Sequence, residues 1–250
     1  MKDGVGHNMS FLFGLVLSGF VFVVLALRGG NTAMLLDPVA LILVFGGTLG
    51  SLLIITPISS LTYKIIIIKK TLGASEKPEK LLKEIMIIAQ SARKKGLLSL
   101  ESMESEIKNA TLKKGINLIL DSADAITIRS VLEKESSYIS EKEKSAQELI
   151  ERLAVFAPGI GMVGTLVQIV IMLGAYKNAE TIAPQIAHSL LPVVYGAVLS
   201  YLLLFPLSAR IKIGAEKKRA IRELSIEGVL AIQAGEPPFL VEQRLEVYLK

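Results

Sequence analysis

Four long segments without a charged side chain constrain this sequence more than any other feature. They contain no Asp, Glu, Lys or Arg and cover Gly4–Leu27, Pro38–Tyr63, Leu153–Tyr176 and Thr181–Ala209. Each is long enough for a helix to cross the apolar core of a bilayer, which takes about 20 residues. The mean hydropathy of +0.53 also favours a membrane protein. The sequence therefore predicts an all-α membrane protein with four transmembrane helices. They span roughly residues 9–27, 38–58, 153–176 and 183–206.

Lysine and arginine residues are unevenly distributed between these segments. Seventeen lie between Pro57 and Arg152 and eight from Leu207 onwards, whereas the short links hold only Arg28 and Lys177. Because basic loops stay on the cytoplasmic side, the middle segment, the tail and both termini are predicted to be cytoplasmic. The predicted domains are transmembrane helices 1 and 2 (1–63), a cytoplasmic helical domain (64–150), transmembrane helices 3 and 4 (151–209) and a cytoplasmic helical tail (210–250).

A glycine-rich stretch, Gly159–Gly164, matches the G-x-G-x-x-G pattern of dinucleotide-binding proteins. That interpretation requires a preceding strand in a soluble βαβ unit, whereas this stretch lies inside the third apolar segment. We instead expect Gly161 with Thr165, and Gly164 with Gln168, to let another helix come close. Thr165 and Gln168 also share one helix face. Such a polar stripe is expected of a span that lines an ion path or packs against a partner.

Side chains suited to covalent or metal chemistry are few. The chain has no cysteine, and its two histidines, His7 and His188, are far apart in sequence. The sequence therefore predicts neither a disulfide nor a histidine-rich metal site. No catalytic constellation lies within the spans, and no cofactor or nucleic-acid partner is indicated, so we do not expect an enzyme. The spans also lack Asp and Glu, so a conducting protein of this kind needs a partner that supplies the carboxylate.

Turn and helix signals divide the apolar segments further. Pro38 occupies a favoured first-turn position, and Pro57 is predicted to kink or end the second span. Pro192 is predicted to kink the fourth span. Gly46 and Gly50 form a G-x-x-x-G pair, which is a common helix-packing device.

The middle segment and the tail are predicted to be helical. Apolar residues recur at helical spacing over Leu81–Ala92, and Gly96 is the predicted C-cap of that helix. Ser99 is predicted to cap the next helix, which Gly115 ends. A further helix is predicted over Asp121–Ser137. Gly235 is predicted to begin a break before a short terminal helix.

Motifs in four regions match one known family of membrane proteins. They are PGIGMVGTLV at 158–167, ARKKGLLSLE at 92–101, GVLAIQ at 228–233, and IAH, YGA and FPL at 186–188, 195–197 and 205–207. Together they resemble the MotA/PomA family of flagellar stator proteins over essentially the whole chain. The order of the motifs agrees with the topology predicted above.

The resemblance implies a bacterial inner-membrane pentamer around two copies of a single-span partner, MotB or PomB. That partner brings the membrane aspartate, and passage of H⁺ or Na⁺ past it turns the ring and pushes the rotor protein FliG. The implied residues for the ion path and coupling are Pro158, Gly161, Thr165, Pro192, Tyr195 and Pro206. Those for rotor contact are Arg93, Lys94 and Glu101.

The identity of the ion and two rival functions stay open from the sequence. Thr165 matches a threonine of sodium-type members, whereas Pro192 and Val193 stand where the family often has two threonines. One rival is an energiser of the ExbB/TolQ type, although such chains typically have three spans. The other is a passive membrane scaffold that recruits soluble partners and conducts no ions.

Overall fold

The computed structural model describes residues 35–73, 75–174 and 182–249, together with isolated positions between Phe13 and Arg28. Within these residues the chain is helical and contains no strand, which confirms the all-α prediction. Three described stretches are long and apolar enough to cross a membrane: Pro38–Ile55, Ala125–Gly174 and Ile182–Gln233. The first predicted span, residues 9–27, lies largely outside the described residues.

Nine α-helices have described bounds. In chain order they are α1 (Pro38–Ile55), α2 (Ile58–Leu72), α3 (Pro78–Lys95), α4 (Ala110–Leu120), α5 (Ala125–Gly174), α6 (Ile182–Ser189), α7 (Leu191–Val198), α8 (Phe205–Gln233) and α9 (Pro238–Leu245). Short 3₁₀ helices cover Leu97–Glu106 and Glu246–Leu249, and a π-helix covers Leu199–Leu204.

The helices form two compact units, with α5 and α8 each contributing to both. The first unit comprises Met1–Leu72 and Ser145–Lys212, and the second comprises Gly73–Lys144 and Ile213–Lys250. The second unit has a large core of buried leucine, isoleucine and valine side chains from α3, α4, α5, α8 and α9. The first unit has smaller clusters, one around Leu52, Leu149 and Leu153.

Local sequence signals explain the start and end of α1. The carboxylate of Asp37 accepts hydrogen bonds from the backbone N–H groups of Val39 and Ala40, at 2.8 and 3.2 Å. Pro38 occupies the first turn, where its missing N–H is no loss. The helix ends at Ile55, and α2 begins at Ile58 after Pro57. These outcomes confirm the predictions for both prolines.

Three local predictions are wrong. The Ser99 hydroxyl donates to the carbonyl of Gly96 at 2.7 Å, so it does not cap a helix N-terminus, and the 3₁₀ helix already begins at Leu97. Gly115 lies inside α4, where a methyl group would overlap with the side chain of Val229. The helix predicted over Asp121–Ser137 starts at Ala125 and continues to Gly174. Its start follows Ser122, which has a φ of 60°.

Two glycine predictions in the second unit are confirmed. Gly96 ends α3 with a φ of +84°, which strains any other side chain. Gly235, with a φ of +65°, separates α8 from α9. By contrast, Gly46 and Gly50 of the predicted G-x-x-x-G pair have no other part of the described chain within 4 Å of an added Cβ. Gly47 faces the side chain of Ile160 instead.

Candidate functional site

Two glycines of α5 allow α7 and α1 to approach its backbone. A methyl group on Gly161 would overlap with the carbonyl oxygen of Pro192 and lie 3.0 Å from the Cα of Val193. A methyl group on Gly164 would overlap with the side chain of Leu43 and lie 3.1 Å from the Cβ of Pro192. The expectation that these glycines admit a close helix is therefore confirmed within this chain. The packing brings Gly161 and Pro192, two of the predicted site residues, together.

A glycine of α7 makes the reciprocal approach to α5. A methyl group on Gly196 would overlap with the carbonyl oxygen of Ala157 and lie 3.1 Å from the Cα of Pro158. One turn further along the chain, the Ser200 hydroxyl donates to the carbonyl oxygen of Ala154 at 2.6 Å. Pro158 is therefore held directly against the fourth apolar segment. Its position inside the long helix α5 is the one predicted from the sequence.

Thr165 lies close to this packing and is itself 8% exposed. Its hydroxyl has no hydrogen-bond partner among the described residues. A threonine within a helix usually bonds its own backbone four residues back, and Thr48 does so, donating to Val44 at 2.6 Å. The buried hydroxyl of Thr165 is therefore left with unused hydrogen-bonding capacity. Gln168, its neighbour on the same face, is only half-buried.

Prolines interrupt the fourth apolar segment at two places. The segment begins with α6, passes a turn at Leu190 and restarts as α7 with Pro192 in its first turn. The π-helix Leu199–Leu204 then ends just before Pro206, which lies in the first turn of α8. A proline removes one backbone donor and clashes with the preceding turn, so a bulge or break next to it is expected. The kink predicted at Pro192 is confirmed, whereas the π-helix was not predicted.

Tyr195 has a different set of contacts from the other predicted ion-path residues. Its hydroxyl donates to the carbonyl oxygen of Leu35 and accepts the backbone N–H of Asp37 at 3.0 Å. It therefore ties α7 to the start of α1. The remaining N–H groups in the first turn of α1 are capped by the Asp37 side chain.

The residues predicted for rotor contact lie in the second unit, around the end of α3. Arg93, Lys94 and Glu101 are all exposed, and none has an ion-pair partner within the described part of the chain. The junction between α3 and the following 3₁₀ helix, which carries these three residues, is held by buried and hydrogen-bonded neighbours. Leu100 is fully buried, and the Ser99 hydroxyl holds the turn at Gly96.

A neighbouring glutamate is bound within the unit. The side-chain amide of Asn117 donates to Glu104 at 3.1 Å, and the ammonium group of Lys113 lies 3.4 Å from the same oxygen. The hydrogen bond from Asn117, followed by that from Lys113, lowers the pKa of Glu104 below its ordinary value. Glu104 therefore has partners inside the unit, whereas Glu101 has none in the described chain.

The sequence did not predict the polar contacts between distant residues, and two of them are notable. One is the bond from Ser200 to the Ala154 carbonyl. The other is an almost buried ion pair between Arg222 and Glu143, 2.9 Å apart, with the guanidinium also donating to the hydroxyls of Ser136 and Ser140. The spacing of serines at 136 and 140 and a glutamate at 143 marks one helix face. However, no sequence pattern identifies Arg222 as the residue that binds them.

The described residues offer no metal centre. No group of three or more His, Asp or Glu side chains in this part of the chain could hold a metal ion. The apolar segments of the sequence likewise contain no carboxylate. Within these segments, the only oxygens that this chain offers a cation are hydroxyl, amide and backbone oxygens.

Comparisons with known proteins agree on one group. A family profile described as the MotA/TolQ/ExbB proton channel family matches residues 103–223. The chemotaxis protein PomA of Vibrio alginolyticus is 33% identical, covering 97% of this chain and 95% of PomA. The fold resembles that of C. jejuni MotAB, with a TM-score of 0.91, 22% identity and coverage of 97% and 96% of the two chains. It also resembles the flagellar MotAB stator complex from Bacillus subtilis, with a TM-score of 0.88, 24% identity and coverage of 96% and 95%.

Proposed function

Because this chain belongs to the MotA/PomA family, within the wider MotA/TolQ/ExbB proton channel family, we propose that it is the channel-forming subunit of a flagellar stator. It converts the energy of an ion gradient into torque on the rotor protein FliG. Five copies surround two copies of a single-span partner of the MotB or PomB type. The two solved structures of similar fold are of MotAB, which supports this choice of partner.

The observation that carries the proposal is the hydroxyl of Thr165, which has no hydrogen-bond partner in the described chain. It lies in the part of α5 that has no charged side chain. A structural threonine satisfies its hydroxyl on its own helix, as Thr48 does. An oxygen left without a partner inside a membrane span can serve a cation, or the carboxylate that binds it, when the packing around it opens. Gly161 and Gly164 support this role because they keep α5 tightly packed beside that oxygen.

The partner supplies the ionisable group that this chain lacks. Conduction needs a membrane group that binds and releases the ion, and the apolar segments here contain no Asp or Glu. An aspartate of the partner meets this need and approaches the face of Thr165. Binding of H⁺ or Na⁺ neutralises its charge and changes how the partner packs against the third and fourth spans.

Force reaches the rotor through bending in the spans and charge on the loop. Pro158 and Pro192 are in contact with the same packed region and localise the bending. Arg93, Lys94 and Glu101 are exposed and lack internal partners in the described chain, so their charges are available to FliG. Pro206, beside the π-helix, marks a second point where the fourth segment deforms.

The proposed setting is the bacterial inner membrane. Four spans cross it, and both termini and the second unit lie in the cytoplasm. The strong excess of Lys and Arg between Pro57 and Arg152 and in the tail supports this orientation.

Cation flux into vesicles tests the function. The chain is reconstituted with and without a single-span, aspartate-bearing partner whose periplasmic plug is deleted, in sodium and in sodium-free buffer. We expect flux only with the partner, and its sodium dependence identifies the ion. Absence of flux from an assembled complex in both buffers would contradict the proposal and favour a passive scaffold.

An energiser of the ExbB/TolQ type is a second candidate, because the matching family profile also covers those proteins. Such a complex conducts protons with its own partner but does not turn a flagellar rotor. Expression of this chain with its partner in cells that lack a stator separates the two functions. Restored swimming supports the stator, whereas flux without swimming supports the energiser.

A further inference from the structure

The helix α5 contains a carbonyl group that its own backbone cannot satisfy. In a regular helix the carbonyl of Ala154 accepts the N–H of residue 158, and that residue is Pro158, which has no N–H. Ala154 is fully buried. An unsatisfied carbonyl in such a place is unfavourable, whether its surroundings are protein or lipid.

The hydroxyl of Ser200 satisfies this carbonyl from another segment of the chain. It donates to the Ala154 oxygen at 2.6 Å, and Ser200 is itself fully buried. Several other helical hydroxyls instead donate to the carbonyl four residues earlier in their own helix. They belong to Thr48, Ser51, Ser189 and Ser225.

Two further features hold Ser200 in this position. Gly196, one turn earlier, packs directly against Ala157 and the Cα of Pro158, so the two backbones are already close. Ser200 also lies within the π-helix Leu199–Leu204, and its own carbonyl accepts the N–H of Phe205, five residues later. Such π-helical turns occur frequently at functional sites.

We propose that Ser200 is a positioning residue for the bend at Pro158. Its hydroxyl replaces the hydrogen bond that the proline removes, and it thereby fixes the fourth apolar segment to the bending point of the third. Through this bond, a change in the bend at Pro158 is passed to the fourth apolar segment. The coupling role rests on the stator function proposed above, whereas the replacement of the hydrogen bond does not.

A double-mutant cycle tests the bond itself. Ser200→Ala leaves the Ala154 carbonyl without a donor, and we expect the melting midpoint of the assembled complex to fall by about 4 °C. In the Pro158→Ala background, residue 158 regains an N–H that can donate to the same carbonyl. In that background, Ser200→Ala is expected to lower the melting midpoint far less. Equal losses in both backgrounds would overturn the proposal.

Flux and swimming test the positioning role. With the plug-deleted partner, we expect Ser200→Ala to lower cation flux about tenfold at unchanged assembly, and Ser200→Thr to restore it because the hydroxyl is kept. Ser189→Ala is the matched control, since that buried hydroxyl donates only to its own helix, at Gln185. It should leave flux unchanged and show no coupling to Pro158.

The outcomes separate this inference from the stator function. Unchanged flux and swimming in Ser200→Ala would overturn the positioning role, even with the stator function intact. A wild-type complex that conducts no ion would contradict the stator function, and with it the positioning role. The double-mutant cycle on thermal stability would then still decide whether Ser200 replaces the bond removed by Pro158.

Discussion

The two compact units differ in how closely their helix backbones approach one another. In the first unit, glycines at 161 and 196 bring one helix backbone against another. In the second, Gly115 and Gly228 face the side chains of Val229 and Ile85. Among the described residues, the largest fully buried side chains lie in the second unit, with the exception of Ile211.

The difference follows from the solvent proposed for each unit. Lipid tails are as apolar as leucine, so spans gain little by burying large side chains and associate instead through small residues and close van der Waals contact. In water, burial of leucine and isoleucine drives folding. The packing therefore agrees with a first unit in the bilayer and a second unit in the cytoplasm. It also predicts that the second unit is most sensitive to truncation and the first to enlargement of side chains.

The largest effect is expected from truncation in the second unit. Leu224 is fully buried within the large apolar core, so Leu224→Ala should destabilise that unit by about 2–5 kcal/mol through lost burial and a residual cavity. The measurement is the denaturant dependence of unfolding, followed by protease resistance of the second unit within the whole complex. Ile213→Ala, at a half-exposed position of the same helix, is the control and should change stability little.

Enlargement of a single glycine in the first unit is expected to have the next largest effect. The added methyl of Gly161→Ala meets backbone atoms of Pro192 and Val193, which cannot rotate away. Overpacking of this kind costs roughly 1–3 kcal/mol. We expect reduced thermal stability of the assembled complex and loss of cation flux.

Gly159→Ala is the control for this substitution. The position lies two residues away on the same helix, and no other part of the described chain is within 4 Å of an added Cβ. Alanine is also the better helix former, so this variant should be as stable as the wild type or slightly more stable. Equal damage from both substitutions would show that the contact with Pro192 does not distinguish the two sites.

The same stretch shows how far sequence reasoning reaches. The absence of charge and the glycine spacing were sufficient to predict that Gly161 and Gly164 admit another helix, since small residues have few other uses in an apolar span. The helix start at Pro38 and the C-cap at Gly96 were also readable, because these signals depend on residues adjacent in sequence. All these signals are local or periodic.

The contacts that could not be predicted are those between distant residues. A proline at position 158 leaves the carbonyl of Ala154 without its helical donor, but nothing in the sequence identifies Ser200, 46 positions away, as the replacement. Arg222 likewise reaches Glu143 only because two helices are adjacent. The wrong prediction for Gly115 has the same cause. The residue matched a local helix-ending signal, but in the fold it makes room for the side chain of Val229.

A smaller effect is expected from the polar contact at the start of α1. Tyr195→Phe removes the hydroxyl that joins Leu35 and Asp37 and should weaken this junction by about 1–2 kcal/mol. Because the chain has no cysteine, a single Leu36→Cys substitution reports the junction through its labelling rate. We expect faster labelling in Tyr195→Phe.

Tyr201→Phe provides the comparison, since Tyr201 is exposed and its ring stacks on Phe205 with centroids 5.6 Å apart. It should not alter labelling at position 36. An ion-path role for Tyr195, as the family resemblance implies, would give another pattern. Flux would then fall in Tyr195→Phe while labelling remained at the wild-type rate.

The smallest effect is expected from a polar contact on the water-facing surface of the second unit. The pKa of Glu104 is lower in the folded chain because Asn117 and Lys113 donate to its carboxylate. A carboxylate of this kind stabilises the fold above its unfolded pKa and loses that contribution as the pH falls through the folded pKa. Wild-type thermal stability should therefore decline below about pH 4.5, partly through this group.

Replacement of the Glu104 carboxylate measures how much this group contributes to the pH dependence of thermal stability. Glu104→Gln should be slightly less stable than the wild type at pH 7 and should approach it as the pH falls, because the wild type then loses the same charge. Glu101 lies on the same 3₁₀ helix but has no internal partner in the described chain. The difference in thermal stability between Glu101→Gln and the wild type should therefore stay the same across the acid range. A constant difference between Glu104→Gln and the wild type across the acid range would mean that the charge itself contributes nothing. The contact would then act only through its hydrogen-bond geometry, as the buried bond from Ser200 does in the first unit.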